Sequence, residues 1–521
     1  MSARSARSAR SARSAREADS GWRRLDPRVV RAAGSWCALL IAGVALLMWW
    51  RGAPWWLQLC LPVPLLGMLG HEVLRWLRTY YRVTPERIEL RTGVLVRNHR
   101  SVLRERVRSV DITAEPMHRI FGIATVKVGT GQQAGSSDEA ALTLDALAAA
   151  DAAALREELM RRAAGGGAYE KDAYDTLARI DWRWLRFAVL SVSVPLLGAA
   201  AVGGLYNVLD TVGADPDRVL IPWVWDRLST VDLLPVVIVA SVLALLLVGA
   251  VGSLGLYVEM WWGFRLVREA GGALRVTRGL VVTRSVTLEE ERLRGVEIAE
   301  PLMLRRGGGA CTYAVATGMG TAEEEISSEN RSALLPPAPL GEAHRVAAVV
   351  LREEVCPTAS VRLVPHTRHA LGRRLRLAFL AGALAAGVLV ALGVWLAEVL
   401  VQIGWVSGLV VTGAGALFAV DSFRNLGHGI TGRYLVTRHG SLKRRTIALR
   451  RDGVIGWKVA QWAWHRRSGL ARVTATTAGG RGAYHVKDVL LPEGLRFADE
   501  ATPGLLRQFL VAGHRTNART R

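Results

Sequence analysis

Arginine and lysine recur at matched places in three segments of this chain, and that recurrence offers one kind of chemistry, the binding of anions. The first segment carries Arg104, Arg106, Arg108 and Arg119, the second Arg292, Arg294, Arg305 and Arg306, and the third Lys443, Arg444, Arg445, Arg466 and Arg467. Guanidinium forks fit the paired oxygens of phosphates and carboxylates, so such clusters suit a lipid headgroup or an anionic peptide. The same side chains also solvate strand edges and keep them from pairing with other chains. Residue type and spacing leave both readings open.

Other groups carry less. The run GTGQQA from Gly129 has the letters of a Gly-x-Gly-x-x-Ala nucleotide motif, but no crossover helix opens there and a polar GSSDE follows. His366 and His369 share a helical face beside Arg368 and Arg373 with no further ligands in view, which reads as a solvated juxtamembrane pair. His71-Glu72 lacks the second His of a zinc-protease motif, and neither a P-loop nor a Gly-x-Ser-x-Gly elbow is present. Glu72, Glu259, Glu398 and Asp421 fall at the ends of apolar runs, where they disfavour intrinsic transport. Cys37, Cys60, Cys311 and Cys356 form no Cys-x-x-Cys pair. The expectation is a non-enzyme with no cofactor, no metal and no disulfide.

What positions the basic clusters is an internal repeat. The same number of residues separates Gly93 from Gly122, Gly279 from Gly308 and Gly440 from Gly469. ERVRSVDI from Glu105 matches ERLRGVEI from Glu291, and HRIFGIATV from His118 matches HRRSGLARV from His465. Gly93, Gly122, Gly440 and Gly469 are expected to supply turns that a side chain would obstruct. Each segment holds short β-branched runs and then one amphipathic helix. The three segments span residues 80–162, 263–355 and 431–512. The first closing helix carries Leu155 and Leu159, the second begins near Glu342, and the third is expected to start at Thr502-Pro503 and carry Leu505, Leu506, Phe509 and Leu510.

Six apolar runs, residues 33–50, 53–70, 187–209, 233–258, 377–397 and 399–420, approach the roughly 20 residues needed to cross a bilayer. Short gaps within pairs and long gaps between them predict three hairpins, 33–72, 186–260 and 376–421, with linkers at 163–182 and 356–373. Arg23, Arg24, Arg28 and Arg31, Arg75, Arg78 and Arg82, and Arg373, Arg374 and Arg376 flank the hairpins. Asp210, Asp215, Asp217 and Asp226 gather inside the second. The positive-inside bias then puts both termini and all three segments in the cytoplasm. Tryptophans such as Trp49, Trp55, Trp223, Trp225, Trp262 and Trp395 near the run ends read as interfacial anchors. Spacings such as Gly404-x-x-x-Gly408, Ala383-x-x-x-Gly387 and Gly249-x-x-x-Ser253 allow close helix packing or a membrane partner.

Residues 1–32 hold five Ser-Ala-Arg repeats and read as a disordered basic tail, and residues 513–521 as a second one. In a membrane protein the net charge of +22 points to the anionic inner leaflet before nucleic acid.

The pairing of a hairpin with VTxxxxxxxxGVLxR, ERVRSVDI and HRIFGIATVxVGT resembles the bacterial pleckstrin-homology-like (PH-like) membrane proteins of the YdbS and YdbT type, in particular the longer three-module kind. The second segment departs from the pattern at LRRGGGACT from Leu304. The resemblance implies three PH-like barrel or sandwich modules, each capped by a helix, on six spanning helices in a bacterial cell membrane. It also implies a single-module YdbS-like protein as a partner. The functional expectation is a non-catalytic scaffold connected with envelope stress or peptide tolerance. An anionic-lipid sensor and an accessory subunit of an export system are the alternatives.

Overall fold

The computed structural model describes residues 21–50, 62–93, 98–104, 107, 109–129, 141–163, 175–191, 193–212, 234–269, 272–317 and 332–506. The Ser-Ala-Arg repeats, Trp55, Trp56, Cys60, Arg106, Arg108, the acidic connection with Asp215, Asp217, Trp223, Trp225 and Asp226, nearly all of GTGQQA, and the tail at 513–521 lie outside them. The chain divides into two compact units, Met1–Glu291 and Arg292–Arg521.

In the first unit, α1 (Arg28–Trp50) and α2 (Pro62–Arg78) lead into a sheet ordered β1 (Arg23–Arg24), β2 (Tyr80–Val83), β3 (Arg87–Thr92), β4 (Asn98–Leu103). Alternation in β3 turns Ile88 and Leu90 inward. They meet Val110 of β5 (Ser109–Ala114), Val126 and Val128 of β6 (Ile123–Gly129), and Leu142 and Leu144 of β7 (Ala141–Ala148). A short helix, α3 (Pro116–Ile120), joins β5 to β6, and α4 (Ala149–Ala163) closes this core with Leu155 and Leu159. Each buried leucine of this kind contributes roughly 1.5–3 kcal/mol.

The outer edge of β5 is also used. It pairs antiparallel with β11 (Thr283–Glu289), so β8 (Asp175–Arg179), β9 (Arg265–Arg268) and β10 (Ala273–Arg278) extend the sheet into the seven-stranded order β7-β6-β5-β11-β10-β9-β8. Between β8 and β9 run α5 (Ser193–Val212) and α6 (Leu234–Trp261). A Cβ on Gly249 would stand 1.9 Å from the Val194 carbonyl oxygen, and Ser253 Oγ donates to the Ala188 carbonyl at 2.6 Å. The Gly249 and Ser253 face is therefore occupied inside its own hairpin.

The second unit repeats the device. β12 (Leu293–Pro301), the short helix α7 (Leu302–Arg306), β13 (Gly309–Ala316), β14 (Ala333–Pro339) and α8 (Leu340–Leu351) come first. The hairpin α9 (Arg368–Leu396) and α10 (Val399–Arg424) follows, then β15 (Gly427–Thr431), β16 (Tyr434–His439) and β17 (Lys443–Arg450). β12 pairs with β17, giving the six-stranded order β14-β13-β12-β17-β16-β15. The last strands, β18 (Val454–Ala460), β19 (Leu470–Thr477) and β20 (Ala483–Leu490), form their own sheet, with the short helix α11 (Ala463–Arg467) between β18 and β19 and α12 (Leu491–Ala501) after β20. Leu435, Ile447, Leu449, Val473, Val486, Phe497 and Ala498 make the core of this repeat.

These observations correct the sequence expectations in three places. Three self-contained modules are replaced by sheets shared between neighbouring repeats, and the middle repeat is divided, β9–β11 in the first unit and β12–β14 with α8 in the second. Six spanning helices are replaced, among the described residues, by four long and apolar enough to cross a membrane, which lie in α1, α6, α9 and α10. α2 covers 17 residues and already carries Glu72, Arg75 and Arg78, while α5 carries Asn207 and Asp210 in its last turns. The closing helix of the third repeat begins at Leu491, not at Thr502, and Thr502 ends it. Pro492 occupies its first turn, and Arg451 donates to the Glu500 and Ala501 carbonyls at its end. The small-residue spacing is used for close helix packing at Gly404 and Gly408, which face Val390 and Ala386 of the adjoining α9, while Gly387 opens on empty space.

The repeat spacing reappears as backbone conformation. Gly93, Gly279 and Gly440 have φ of +132°, +111° and +107°, and Gly122, Gly308 and Gly469 have +68°, +73° and +65°. At Gly440 a Cβ would stand 2.1 Å from the Lys443 carbonyl oxygen. Gly440→Ala is therefore expected to destabilise the protein by about 1–3 kcal/mol, read as a lower melting temperature in detergent, whereas Gly387→Ala should leave it nearly unchanged.

Candidate functional site

Most of the repeated basic side chains among the described residues are committed to other parts of the chain. Arg104, only 9% exposed, donates to the Thr84 carbonyl at 3.1 Å and to Glu158 of α4 at 3.0 Å, tying a strand turn to the closing helix. Arg119 donates to the Leu280 carbonyl. Lys443 lies over the Tyr313 ring, with Nζ 5.7 Å from its centroid. Arg444 grips both carboxylate oxygens of buried Glu300 and also approaches Asn425 Oδ1 at 3.4 Å. Arg445 stands 3.6 Å from buried Glu297, which also takes two hydrogen bonds from Arg481 at 2.7 and 2.8 Å. Lys443, Arg444 and Arg445 thus act along the β12–β17 seam. In the second repeat Arg305 pairs with Asp421 at 2.7 Å.

Arg466 and Arg467 differ, because both are exposed on α11. Arg467 lines a cavity of about 320 Å³ at the foot of α9 together with Arg373, Arg376 and Arg472. Leu377 and Leu380, one turn further along the same apolar helix, and Trp462 supply its greasy wall. The arrangement places cations beside aliphatic side chains near the start of a helix long and apolar enough to cross a membrane, as a headgroup and its first methylenes would require.

One acid fixes this geometry. Asp488, 3% exposed, sits in β20 with φ of +59°, a left-handed conformation that a short polar side chain tolerates. It accepts from Arg373, from both Nε and Nη2 of Arg374 at 3.0 and 2.7 Å, and faces His465 Nε2 at 3.3 Å. Arg374 also donates to Ser422 of α10. Burial alone would raise the Asp488 carboxyl, but the hydrogen bonds and charges of Arg373 and Arg374 outweigh it and hold the group below the usual carboxylate range.

Residue pattern did not single out Asp488, and Arg373, Arg374 and Arg376 read from it as topological signals beside the apolar run. The lone acid in AYHVKDVL, within a strongly basic segment, was the available clue. His366 also departs from expectation. It is buried rather than solvated, edge-on to His428 at 5.1 Å, and His428 in turn meets Phe497 at 4.9 Å, while His369 stays exposed. Desolvation pushes both rings down to about 4, with the mutual repulsion of the two histidines adding to it at His366.

Two comparisons give this geometry a context. The bacterial PH domain family matches residues 29–163 and 374–502, together just over half of the chain. Each match covers a hairpin with the first or the third repeat, and neither includes the divided middle repeat. The chain is also 20% identical over 280 residues to the UPF0699 transmembrane protein YdbT of Bacillus subtilis (strain 168), covering 51% of this chain and 55% of that one. It thus spans about half the length of that curated relative. No solved structure matches.

Two outcomes follow from the buried charges. Asp488→Asn leaves Arg373 and Arg374 without their carboxylate and should cost about 3 kcal/mol, seen as early melting and as protease cleavage near residue 488. The depressed Asp488 carboxyl contributes fully above its unfolded value of about 3.9 and is lost only as pH falls through its lower folded value. His366 and His428 act sooner: as bases with depressed folded values, they stabilise the fold above about pH 6.5 and cease to do so as pH falls toward about 4. Melting temperature should drop across that window, and less steeply in a His366→Phe, His428→Phe variant.

Proposed function

Because the chain belongs to the bacterial PH domain family, we propose that it is a non-catalytic membrane scaffold whose strand repeats, held on the cytoplasmic side by the apolar helices, assemble with other membrane proteins. The observation that carries this reading is the sharing of sheets between repeats. Strands β5 and β12 each use one edge within their repeat and offer the other to a following one. A fold that joins its own repeats by strand addition has the means to join a further chain in the same way. Among the described basic residues, Lys443, Arg444 and Arg445 act at the β12–β17 joint and Arg119 reaches Leu280 of the next repeat, which supports a role in assembly. The Arg and Lys bias beside the helices supports the cytoplasmic placement. A role in envelope stress, peptide tolerance or export would follow from the partner's identity.

The cavity at the foot of α9 favours a second, compatible activity, the holding of an anionic headgroup by Arg376, Arg467 and Arg472. The aliphatic wall of Leu377 and Leu380 would then run beside the acyl chain.

Crosslinking in native membranes followed by mild-detergent purification should recover a protein partner in stoichiometric amount; recovery of lipid alone would contradict the scaffold. In nanodiscs, Arg467→Ala with Arg472→Ala should weaken retention of phosphatidylglycerol about 30-fold, at about 1 kcal/mol for each basic residue, and added salt should weaken the parent protein too. Equal retention of anionic and neutral lipid by the parent protein would remove the headgroup reading.

A further inference from the structure

Aligning the repeats on their turn glycines reveals one register used twice. Ser109 of β5 faces Leu288 of β11, and Gly295 of β12 faces Leu449 of β17; in the repeat frame these are the same two positions. The next pairs agree as well, with Ile112 opposite Ser285 and Ile298 opposite Thr446. The rule is that the fourth strand of one repeat takes the third strand of the next, antiparallel and in a fixed register.

β18 is the fourth strand of the third repeat. It forms the edge of its sheet, and among the described residues no strand pairs with its outer side. Ile455 is 65% and Val459 39% exposed there. Ser109, Gly295 and Gly456 occupy one position, so all three fourth strands carry a small residue at that point. At Gly295 this smallness is needed, since a Cβ would stand 2.0 Å from the Ala448 carbonyl of the incoming strand. Gly456 meets only Thr476 of its own sheet, at 3.3 Å. An open, apolar edge strand normally pairs or is protected.

The charge at this edge selects the occupant. Glu297 of β12 meets Arg445 of the strand that joins it. In β18 the position of Glu297 is taken by Lys458, which is exposed. A second copy offering its own third strand, β4, whose outer side pairs with no strand among the described residues, would set Arg100 directly opposite Lys458 and Asn98 in the place of Arg445. Like charges directly opposite each other are destabilising.

We propose that β18 is an acceptor edge for a strand from a different protein, an antiparallel segment built like β17 but with an acidic residue where β17 has Arg445. This rests on the scaffold reading and specifies the surface through which it works.

The test uses the full chain in nanodiscs, with its four native cysteines changed to Ser and Val459→Cys introduced. The probes are synthetic peptides of the β17 sequence, residues 443–450, bearing Glu or Arg at the 445 position and a single Cys at the 446, 447 or 448 position. The proposal expects disulfide trapping to peak with Cys at 446, to be about tenfold greater for the Glu than for the Arg peptide, and to reverse that preference in a Lys458→Glu variant. Equal trapping at all three Cys positions, no trapping, or no charge preference would overturn it. So would disulfide-linked oligomers in a Val459→Cys, His99→Cys protein, because a second copy would then fill the edge. If a partner still copurifies from native membranes while no peptide is trapped in register, the scaffold stands and this edge is not its surface.

Discussion

Backbone hydrogen bonding along strand edges is the constraint on which this protein depends. A strand with one unpaired side carries a row of donors and acceptors that must meet water, a cover or another strand. Here the need is met by the neighbouring repeat. β5 takes β11 and β12 takes β17, so three copies of a small motif become two composite sheets and two shorter end sheets. The buried ion pairs follow the same seam. Glu297 and Glu300 on β12 are neutralised by Arg445 and Arg444 on β17, which makes the joint selective as well as stable.

The apolar helices are tied to the strands by a separate device. Small residues let the two helices of a hairpin touch: Gly382 and Gly408 of the third lie backbone to backbone, and Gly198 and Gly249 of the second stand against Leu245 and Val194. The third hairpin is then clasped to its repeat through Asp488, which gathers two arginines from the base of α9 and one histidine from α11. The basic cavity exists because that clasp brings α11 alongside the first turns of the apolar helix.

How much of this could be read from the chain depended on whether the signal was local. Turn glycines, strand alternation and the Leu155 and Leu159 stripe depend on near neighbours, and the repeat and the membrane character were visible from them. Which strand pairs with which is a long-range property. ERVRSVDI and ERLRGVEI look like strands of their own modules, and nothing within them announces that each pairs with a strand from the next repeat. The basic clusters left two readings open for the same reason, since Arg444 and Glu300 are far apart in sequence and only the register makes them a pair. The count of spanning helices differs because, among the described residues, α2 covers only 17 residues and runs past its apolar stretch into Glu72, Arg75 and Arg78, while α5 carries Asn207 and Asp210 in its last turns. His366 looked solvated beside Arg368, yet the burial of its neighbour His428 draws it inside.

The central claim is that neighbouring repeats share sheets in one register, and disulfide trapping within the intact chain addresses it most directly. With the native cysteines removed, the pairs Thr113→Cys with Arg284→Cys and Glu300→Cys with Arg444→Cys join residues that face each other across the two seams. The account predicts rapid oxidation of both pairs in native membranes and little when one partner is moved two residues along its strand. Failure of the matched pairs to close, or equal closure of the displaced ones, would contradict it.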